Sequence, residues 1–426
     1  MPRAAEPGEA PQAAAITLGR GMLILRVFVP FACGYYLSYL YRTVNAVIAP
    51  DLVRDLALDA GRLGLLTSTY FLAFGLFQLP LGILLDRFGP RRVDAALLAV
   101  AGVGALLFAL SREFGALVVA RALIGFGVSA ALMASMKAFT LWFPLSRLAS
   151  LNGWVMAIGG LGALSASVPV EAALRITDWR GVFEVLAATT LLAAGAIMLL
   201  VPERAAPGGG ERLGAMLRGI AAVFGDAAFW RIAAICMTVQ AAFLSVGGLW
   251  VAPWLLDVAG LARGTVATYL LVFAVAMTAG FAFFGSAADR LESAGWGAAR
   301  LFVIGAVAST AGLALIALGV TRGALAVWII VYFASPASAL SYAMLSRRYP
   351  RAQAGRVTTA LNFVVFAAAF AAQWGIGAIV NRWPAVDGVY PLPAYRAAFG
   401  ACVALEIAAL AWWLVPRSDA ARRRSG

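Results

Sequence analysis

Residues 82–92 decide the fold of this chain, and they read Gly82-Ile83-Leu84-Leu85-Asp86-Arg87-Phe88-Gly89-Pro90-Arg91-Arg92. A shorter copy occurs much later in the chain and reads Gly285-Ser286-Ala287-Ala288-Asp289-Arg290. Each copy follows the second long hydrophobic span of its half of the chain. In both copies a glycine, which we expect to end a helix, precedes an aspartate and an arginine at the same spacing. A polar signal that recurs after the equivalent span predicts a duplicated membrane protein.

The composition is that of a membrane protein. The chain has 426 residues, of which 63% are hydrophobic and 12% are charged, which is more apolar than a soluble domain tolerates. Apolar spans of about 20 residues recur, each long enough to cross a hydrocarbon core of about 30 Å. Because backbone in lipid must satisfy its own hydrogen bonds, these spans are predicted to be helices. The twelve predicted spans are 27–49, 62–85, 93–110, 114–141, 147–169, 181–201, 228–256, 263–285, 299–318, 323–345, 357–380 and 394–416.

The arginines are distributed unevenly between the two sides of the predicted membrane. With the N-terminus inside, cytoplasmic segments hold 21 arginines and external loops hold nine. This positive-inside bias predicts that both termini and both copies of the motif are cytoplasmic. The net charge of +13 is therefore explained by topology and does not indicate nucleic-acid binding. We expect a multi-pass monomer in a bacterial-type cytoplasmic (inner) membrane, surrounded by the lipid bilayer.

Residue types that serve metal sites and cofactor chemistry are scarce. The chain has no histidine, and Cys33, Cys236 and Cys402 fall in separate spans without metal or disulfide spacing. No soluble stretch is long enough to hold an enzyme, so we expect no cofactor, no metal site and no enzymatic activity. The predicted division is a disordered cytoplasmic tail at 1–23, an N-terminal six-helix half at 24–201, a central cytoplasmic loop at 202–225, a C-terminal six-helix half at 226–416 and a cytoplasmic tail at 417–426.

The motif at residues 82–92 resembles the hallmark of the major facilitator superfamily of secondary transporters, Gly-x-x-x-Asp-Arg-x-Gly-Arg-Arg between helices 2 and 3. That family has a degenerate copy between helices 8 and 9, which residues 285–290 match; Pro90 is the departure in the first copy. The resemblance implies an all-α membrane protein with twelve transmembrane helices in two pseudo-symmetric six-helix halves, which rock in alternating access. It also implies a cytoplasmic conformational latch, in which Asp86 pairs with arginines or with a helix N-terminus across the halves. The residues assigned to this latch are Gly82, Asp86, Arg87, Arg91, Gly285, Asp289 and Arg290.

The first predicted helix has a polar face. Tyr35, Ser38, Tyr39, Arg42 and Asn45 recur at helical spacing. An arginine inside a membrane span costs roughly 2.5–3.5 kcal/mol, so it should face the protein interior or a water-filled cavity. Its planar fork suits a carboxylate or a phosphate. The sequence therefore predicts that Arg42 binds an anion, and the alternative is an arginine that snorkels or serves folding.

This helix is similar to helix 1 of organophosphate:phosphate antiporters and related anion symporters, which carry an anion-binding arginine at the position of Arg42. Those antiporters have a lysine in helix 2 where this chain has Gln78, and a second arginine inside helix 7 where it has Gln240, Trp250 and Trp254. One arginine with neutral donors suits a monoanion, such as a carboxylate, better than a dianionic phosphate. The resemblance thus implies a secondary transporter of a small organic anion, coupled to an ion, with protons as the candidate.

Two further cations lie in the predicted fourth helix. Arg121, with Gly125 and Gly127, resembles a family motif linked to proton coupling, although Ile124 replaces the usual glutamine. Arg121 is either a coupling residue or a structural arginine that pairs with backbone near the external face. Lys137 is either a snorkelling interfacial residue or part of the cavity, with a possible part in coupling. Both alternatives stay open.

The second half contributes neutral polar groups. Gln240 and Trp250 share a face of the predicted helix 7, and Asn362 and Gln373 share a face of the predicted helix 11. Such groups either orient an organic substrate or hold membrane helices together. The predicted substrate-binding set is Arg42, Tyr35, Tyr39, Asn45, Gln78, Gln240, Trp250, Asn362 and Gln373.

Other functions on the same fold stay open. One is a multidrug or metabolite exporter, although the helix 5 motif of that branch has a Gly-Pro that Gly159-Gly160 lacks. Another is a non-transporting sensor, which usually carries an extra signalling domain. Glu184 and Glu406 lie well inside predicted spans, and neither falls on an obvious cavity face. The sequence alone therefore does not assign a proton carrier.

Overall fold

The computed structural model describes residues 19–204, 213–292, 297–350 and 353–415. Within these ranges nearly all residues are helical, and eleven helices are long and apolar enough to cross a membrane. The longest, Ala60–Leu110, has 51 residues, which is about 77 Å of helix at 1.5 Å per residue. It is broken at Gly89 into two arms, so the described chain has twelve membrane-crossing segments. This confirms the predicted all-α membrane fold.

The helices agree closely with the predicted spans. They are α1 (Gly21–Thr43, continued by Asn45–Leu56), α2 and α3 (the arms 60–88 and 90–110 of Ala60–Leu110), α4 (Phe114–Trp142), α5 (Leu145–Ala173), α6 (Trp179–Leu200), α7 (Ala227–Asp257), α8 (Arg263–Ala288), α9 (Ala298–Ala317), α10 (Ala324–Arg348), α11 (Ala354–Val380) and α12 (Leu392–Leu414). The main difference is α1, which begins inside the predicted tail and extends past residue 49. A short apolar helix, Leu213–Phe224, lies in the predicted central loop. The tails at 1–18 and 417–426, and loop residues 205–212, lie outside the described residues.

The break between α2 and α3 is caused by Gly89, and not by Gly82. Gly89 has φ +78° and ψ 158°, a conformation that essentially only glycine adopts. Pro90 follows it, and the missing N–H of a proline costs nothing in the first turn of a helix. Gly82 and Gly285 both lie inside helices, so the expectation that they end helices is wrong. Asp86 therefore projects from the last turn of α2.

The two halves repeat the same helix packing. In the N-terminal half α1 packs against α5 and α6, and in the C-terminal half α7 packs against α11 and α12. Likewise α3 packs against α6 through Gly102 and Leu191, and α9 packs against α12. This repetition confirms two pseudo-symmetric six-helix halves. We call the end that carries the α1–α2 and α7–α8 loops the external end, following the arginine distribution.

The halves meet most closely between α2 and α11 at the external end. A Cβ atom on Gly377 would lie 2.3 Å from the carbonyl oxygen of Ala60, and one on Gly64 would lie 2.9 Å from the carbonyl oxygen of Gln373. Only glycine permits such backbone contact, as is common between membrane helices. Further contacts between the halves join α5 to α8 and α1 to α7.

Several helices are irregular near the centre of the bundle. A π-turn occupies Val246–Trp250 in α7, and a turn interrupts α4 at residues 128–130. The carbonyl of Val128 accepts hydrogen bonds from Ser38 of α1 (3.3 Å) and from the backbone N–H of Ala131 (3.4 Å). Irregular backbone at membrane depth survives only where protein groups or a cavity satisfy it. The α4 turn is therefore satisfied by α1 in the middle of its span, whereas the α7 turn lies further towards the external end.

Candidate functional site

Arg42 lies in α1 just before the break at Val44, half-buried among aromatic rings from both halves. Its Cζ is 4.9 Å from the ring centroid of Tyr39, 5.1 Å from that of Phe74 in α2 and 5.6 Å from that of Phe366 in α11. Ring faces attract a cation and replace part of its lost hydration. Its Nε is buried without a hydrogen-bond partner, and no ion pair of the described residues includes Arg42. The guanidinium is thus positioned without a carboxylate to neutralise it.

The tyrosines predicted beside Arg42 form one aromatic pair. Tyr35 and Tyr39 pack edge to face with centroids 5.2 Å apart, and the Tyr35 hydroxyl contacts Met156 Sδ of α5 at 3.5 Å. A Cβ on Gly159 of α5 would lie 2.5 Å from the Tyr35 ring, so this glycine makes room for the pair. Tyr39 touches Arg42 directly, whereas Tyr35 supports Tyr39 from behind.

Asn45 lies just beyond the turn that interrupts α1 at Val44. It is 3% exposed, and its Oδ1 has no partner among the described residues. An unpaired amide oxygen in a buried place is costly unless a ligand or water satisfies it. Asn45 is therefore a second residue, close in sequence to Arg42, with a buried polar atom that lacks a partner.

Gln78 and Asn362, which both belong to the predicted substrate-binding set, meet across the two halves. Gln78 donates from Nε2 to the Ser129 carbonyl in the α4 turn (3.1 Å), and its Oε1 accepts from Asn362 Nδ2 (3.4 Å). Asn362 Oδ1 in turn accepts from the Tyr342 hydroxyl of α10 (2.6 Å). A continuous chain of hydrogen bonds thus joins α4, α2, α11 and α10.

Trp250 and Gln373 lie in the contact between the two halves at the external end. The Trp250 indole N–H donates to the Gln373 backbone carbonyl (3.1 Å), and Gln373 Nε2 donates to Thr67 Oγ1 of α2 (2.6 Å). Both residues are 1% exposed. The structure therefore does not bring them together with Arg42.

Gln240 precedes Trp250 in α7, in the regular part of the helix before the π-turn. Its Nε2 contacts only the Cys236 sulfur of the same helix (3.6 Å) among the hydrogen bonds of the described residues, and the side chain is half-buried. The π-turn at Val246–Trp250 shifts the helical phase between Gln240 and Trp250. Regular helical spacing predicted a shared face, and the π-turn is the physical reason that the two residues serve different surroundings.

The repeated motif is held by partners within the N-terminal half. Asp86 Oδ1 accepts from Lys137 Nζ of α4 at 2.7 Å, so its observed partner is not an arginine across the halves. Lys137 is thereby a partner of the motif. Arg91 donates from Nε to the Met198 carbonyl of α6 (3.0 Å), and both Arg91 and Arg92 pair with Glu203. The cytoplasmic ends of α2, α3, α4 and α6 are thus fastened together.

The remaining motif residues carry less information. Arg87 lies over the ring of Phe88, with 5.3 Å from its Cζ to the centroid. Arg290 of the second copy is exposed and has polar contacts, and the side chain of Asp289 lies outside the described residues.

Arg121 lies in the core of the N-terminal half and does not pair with backbone. It is fully buried, and none of its three guanidinium nitrogens has a hydrogen-bond partner in the described chain. Its Cζ lies 5.5 Å from the Tyr70 ring centroid and 5.6 Å from that of Phe108. Unpaired buried cations in membrane proteins mark functional positions. The structure therefore does not show the alternative in which Arg121 pairs with backbone groups.

Sequence reasoning missed Asp94 of α3. It is fully buried, and both carboxyl oxygens lack a partner among described groups. Its Oδ2 lies 3.6 Å from the position of a Cβ on Gly34 of α1. The signal available in the sequence was an acidic residue within the predicted apolar span 93–110.

An ion cluster that sequence reasoning also missed joins the halves at the external end. Arg263, the first residue of α8, donates from Nη1 to Asp51 Oδ1 of α1 (2.9 Å), from Nη2 to Asp51 Oδ2, and from Nε to Glu171 Oε2 of α5 (2.9 Å). The side chains of Asp51 and Glu171 are only 9% and 13% exposed. Together with the Trp250–Gln373–Thr67 chain, this cluster closes the external end.

Comparisons with known proteins identify the family and the fold. Residues 31–373 match the sequence model of the Major Facilitator Superfamily. The chain is 29% identical over 157 residues to a Cupriavidus necator protein named "Probable sulfoacetate transporter", a match that covers 37% of this chain and 36% of that protein. It is 27% identical over 166 residues to the hexuronate transporter of Escherichia coli, covering 39% of this chain and 38% of that protein. The matched stretch is thus little more than a third of each relative's length.

Among solved structures, the fold is similar to a bacterial homologue of the human lysosomal transporter Spinster in an inward-facing, unoccupied conformation. The TM-score is 0.73 at 18% sequence identity, over 91% of this chain and 95% of that one. At this identity the similarity concerns the fold alone.

Proposed function

The chain belongs to the Major Facilitator Superfamily and is a multi-pass membrane transporter, not an enzyme, and on this premise we propose that it carries a small organic anion with one carboxylate by alternating access. Arg42 binds the carboxylate. The proposal places the protein in a bacterial inner membrane, as a monomer, with transport coupled to protons.

The observation that carries this proposal is the state of Arg42. It is a cation between the two halves, held by rings of Tyr39, Phe74 and Phe366, with no carboxylate paired to it. Leaving a charge uncompensated in this position is costly unless a ligand compensates it. A substrate carboxylate would accept two parallel hydrogen bonds from the guanidinium fork.

The neighbouring groups favour a hydroxylated or otherwise polar monoanion. Gln78 and Asn362 are neutral and come from opposite halves, so a substrate can exchange hydrogen bonds with both. The rings around Arg42 provide apolar faces against which a carbon skeleton can pack. A dianionic phosphate would find only one accessible cation beside these neutral groups.

Transport then requires that the external contacts break and reform. In the observed state the Arg263 cluster and the Thr67–Gln373 bond hold the halves together at the external end. The Asp86–Lys137 pair fastens α2 to α4 at the cytoplasmic end, so that the N-terminal half moves as one body. Rocking of the two bodies about the Arg42 region would expose the substrate to one side at a time.

The two relatives add support for an acidic substrate. Their names give sulfoacetate and hexuronate as substrates, and both compounds are organic acids. We therefore propose hexuronates and short hydroxylated carboxylates as the first compounds to test, with sulfoacetate, which carries two negative charges, as the comparison that a site with one arginine should bind less tightly.

The test is counterflow of labelled hexuronate and sulfoacetate in proteoliposomes, with affinity measured separately on purified protein. Hydrogen bonds to charged groups are worth about 1.5–3 kcal/mol, so R42A should weaken binding by roughly ten- to a hundredfold. R42K keeps the charge but loses the planar fork, so it should recover only part of the affinity. Arg112 is exposed in the α3–α4 loop, and R112A is the matched control that should bind like wild type.

Two results would contradict the proposal. Wild-type affinity for the anion in folded R42A would remove Arg42 from the site. Binding without any counterflow by the wild-type protein would favour the sensor alternative.

A further inference from the structure

Glu406, in the middle of α12, lines a small internal cavity that the sequence did not reveal. The residue is 1% exposed, and the cavity lies among α7, α9, α10 and α12 in the C-terminal half. Its volume is about 10 Å³, close to the space needed by one water molecule. The sequence indicated no obvious cavity face for Glu406, and the structure places it at this internal void of the C-terminal half.

Two complementary polar atoms at this cavity have no partner among the described residues. They are Oε2 of Glu406, an acceptor when ionised, and the indole Nε1 of Trp328, a donor. The residues that line the cavity include no arginine and no lysine. An ionised carboxylate here would be uncompensated in an apolar surrounding, and binding a proton removes that charge.

Two serine hydroxyls that line this cavity contact each other. Ser335 Oγ lies 2.7 Å from the Val331 carbonyl oxygen and 2.9 Å from Ser309 Oγ, and either hydroxyl can donate in the second contact. Each serine hydroxyl carries one proton and two lone pairs. These hydroxyls can therefore accept a hydrogen bond from a protonated carboxyl, and neither supplies a positive charge to a carboxylate.

Two further hydroxyls lie at this site. Thr310 Oγ1 is within hydrogen-bond reach of the Glu406 carboxyl and also contacts the Ala306 carbonyl (2.9 Å), and Tyr332 donates to the Gly247 carbonyl (3.2 Å). The polar groups around Glu406 are thus neutral hydroxyls, and no cation lines its cavity. The nearby titratable groups are Tyr332 of α10 and Cys402, one turn earlier on α12.

The cavity also reaches the π-turn of α7. Val246 and Gly247 line it, and Gly247 is the acceptor of the Tyr332 hydroxyl. The next residue, Gly248, faces α1, where a Cβ would lie 3.6 Å from the backbone carbonyl oxygen of Arg42. A charge on Glu406 would recruit donors such as the Tyr332 hydroxyl and so release Gly247. The charge of Glu406 is thereby linked to the turn that contacts the substrate helix.

We infer that Glu406 binds the proton that drives transport, and that its deprotonation rearranges the α7 turn against α1. This rests on the proposed function, because it assigns the coupling site of the same transporter. The proton enters on the carboxyl oxygen from water and leaves to water on the other side, one per transport cycle. One proton with one monocarboxylate carries no net charge, so uptake should be electroneutral.

The experiment separates counterflow from accumulation. E406Q mimics the protonated acid, so it should keep counterflow of labelled hexuronate within about twofold of wild type. Accumulation driven by a pH gradient should fall at least about tenfold, to the level without a gradient. Glu184 is an exposed acid in α6, and E184Q should behave as wild type in both assays.

Asp94 is the competing unpaired acid and provides the sharpest contrast. Normal gradient-driven accumulation by E406Q, or loss of coupling in D94N with E406Q unaffected, would overturn the inference. If E406Q does not fold, E406D keeps the acid and should shift the pH profile of accumulation. An unchanged pH profile in E406D would count against a proton site.

A readout without substrate keeps the two proposals distinguishable. Infrared spectra of the purified protein at neutral pH should contain the C=O band of a protonated carboxyl that is missing from E406Q. If wild type shows no counterflow but this band is present and lost in E406Q, the proposed substrate is wrong and the proton site stands. If the spectra of the two proteins are identical in this region, the proton site is wrong whatever the substrate.

Discussion

Arg263 is expected to set the balance between the closed and open states of the external end. Its fork joins α8 of one half to Asp51 and Glu171 of the other. R263A removes all the hydrogen bonds that Arg263 donates in this cluster. It leaves the Glu171 carboxylate, which is 13% exposed, without a cation, and the Asp51 carboxylate, which is 9% exposed, with only the exposed Arg54 as its partner. The substitution therefore raises the free energy of the closed state and shifts the equilibrium towards external opening.

The size of the shift follows from the burial of the partners. Removing one member of a buried ion pair costs about 3–5 kcal/mol, whereas an exposed pair is worth about 0–1 kcal/mol. The Arg263 side chain is 34% exposed and its partners are mostly buried, so the cluster lies between these limits. We expect a cost of about 1–3 kcal/mol, which changes the equilibrium between the two states about 5- to 150-fold.

The assay is pulsed electron resonance between spin labels at Ile176 and Val386, which are exposed on opposite halves at the external end. The three native cysteines are replaced first. R263A should add a population of longer distances, and R263K, which keeps the charge without the fork, should add a smaller one. Arg322, exposed in the α9–α10 loop, provides the control variant R322A, which should leave the distances unchanged. Identical distance distributions in wild type, R263A and D51N would refute the reasoning.

Three further outcomes are expected. D86N and K137Q should each lower the counterflow rate with little change in substrate affinity, because this pair fastens α2 to α4 away from Arg42; a sharp loss of affinity with a normal rate would contradict it. G377A places a Cβ 2.3 Å from the Ala60 carbonyl and should separate α2 from α11, which a lowered thermal stability would register. A cysteine at Ile176 should react with an impermeant thiol reagent from outside, and labelling only after the membrane is broken would reverse the topology.

Much of the architecture follows from the sequence because the bilayer leaves few alternatives. A chain this apolar must form helices in lipid, so the length of each apolar run predicts a crossing. The duplicated motif indicated the two halves, and an arginine in an apolar span indicated a polar interior. Sequence placed Gln78 and Asn362 in one candidate site, whereas only the structure shows that these two side chains contact each other. These inferences need only local sequence and regular helix geometry.

Partners distant in sequence were decided by tertiary structure. Asp86 could pair with any of several cations, and only the packing of α2 on α4 selects Lys137. Arg263 was one of nine external arginines, and its position at the start of α8 places it between Asp51 and Glu171. Charge pairs form where side chains meet in space, and spacing along one helix carries no information about that meeting.

Helix irregularity was the second reason why the structure differs from the predictions made from the sequence. Face assignments assume about 100° per residue, and the π-turn at Val246–Trp250 breaks this count in α7. Trp250 is consequently bonded to Gln373 at the external contact, away from Gln240. The same turn borders the cavity of Glu406, which residues of α9 and α10 also line. The sequence predicted which residues are costly to bury. The packing of the twelve helices determined which groups surround those residues. Regular helix periodicity does not specify where a helix is interrupted by a turn, so the sequence could not predict these surroundings.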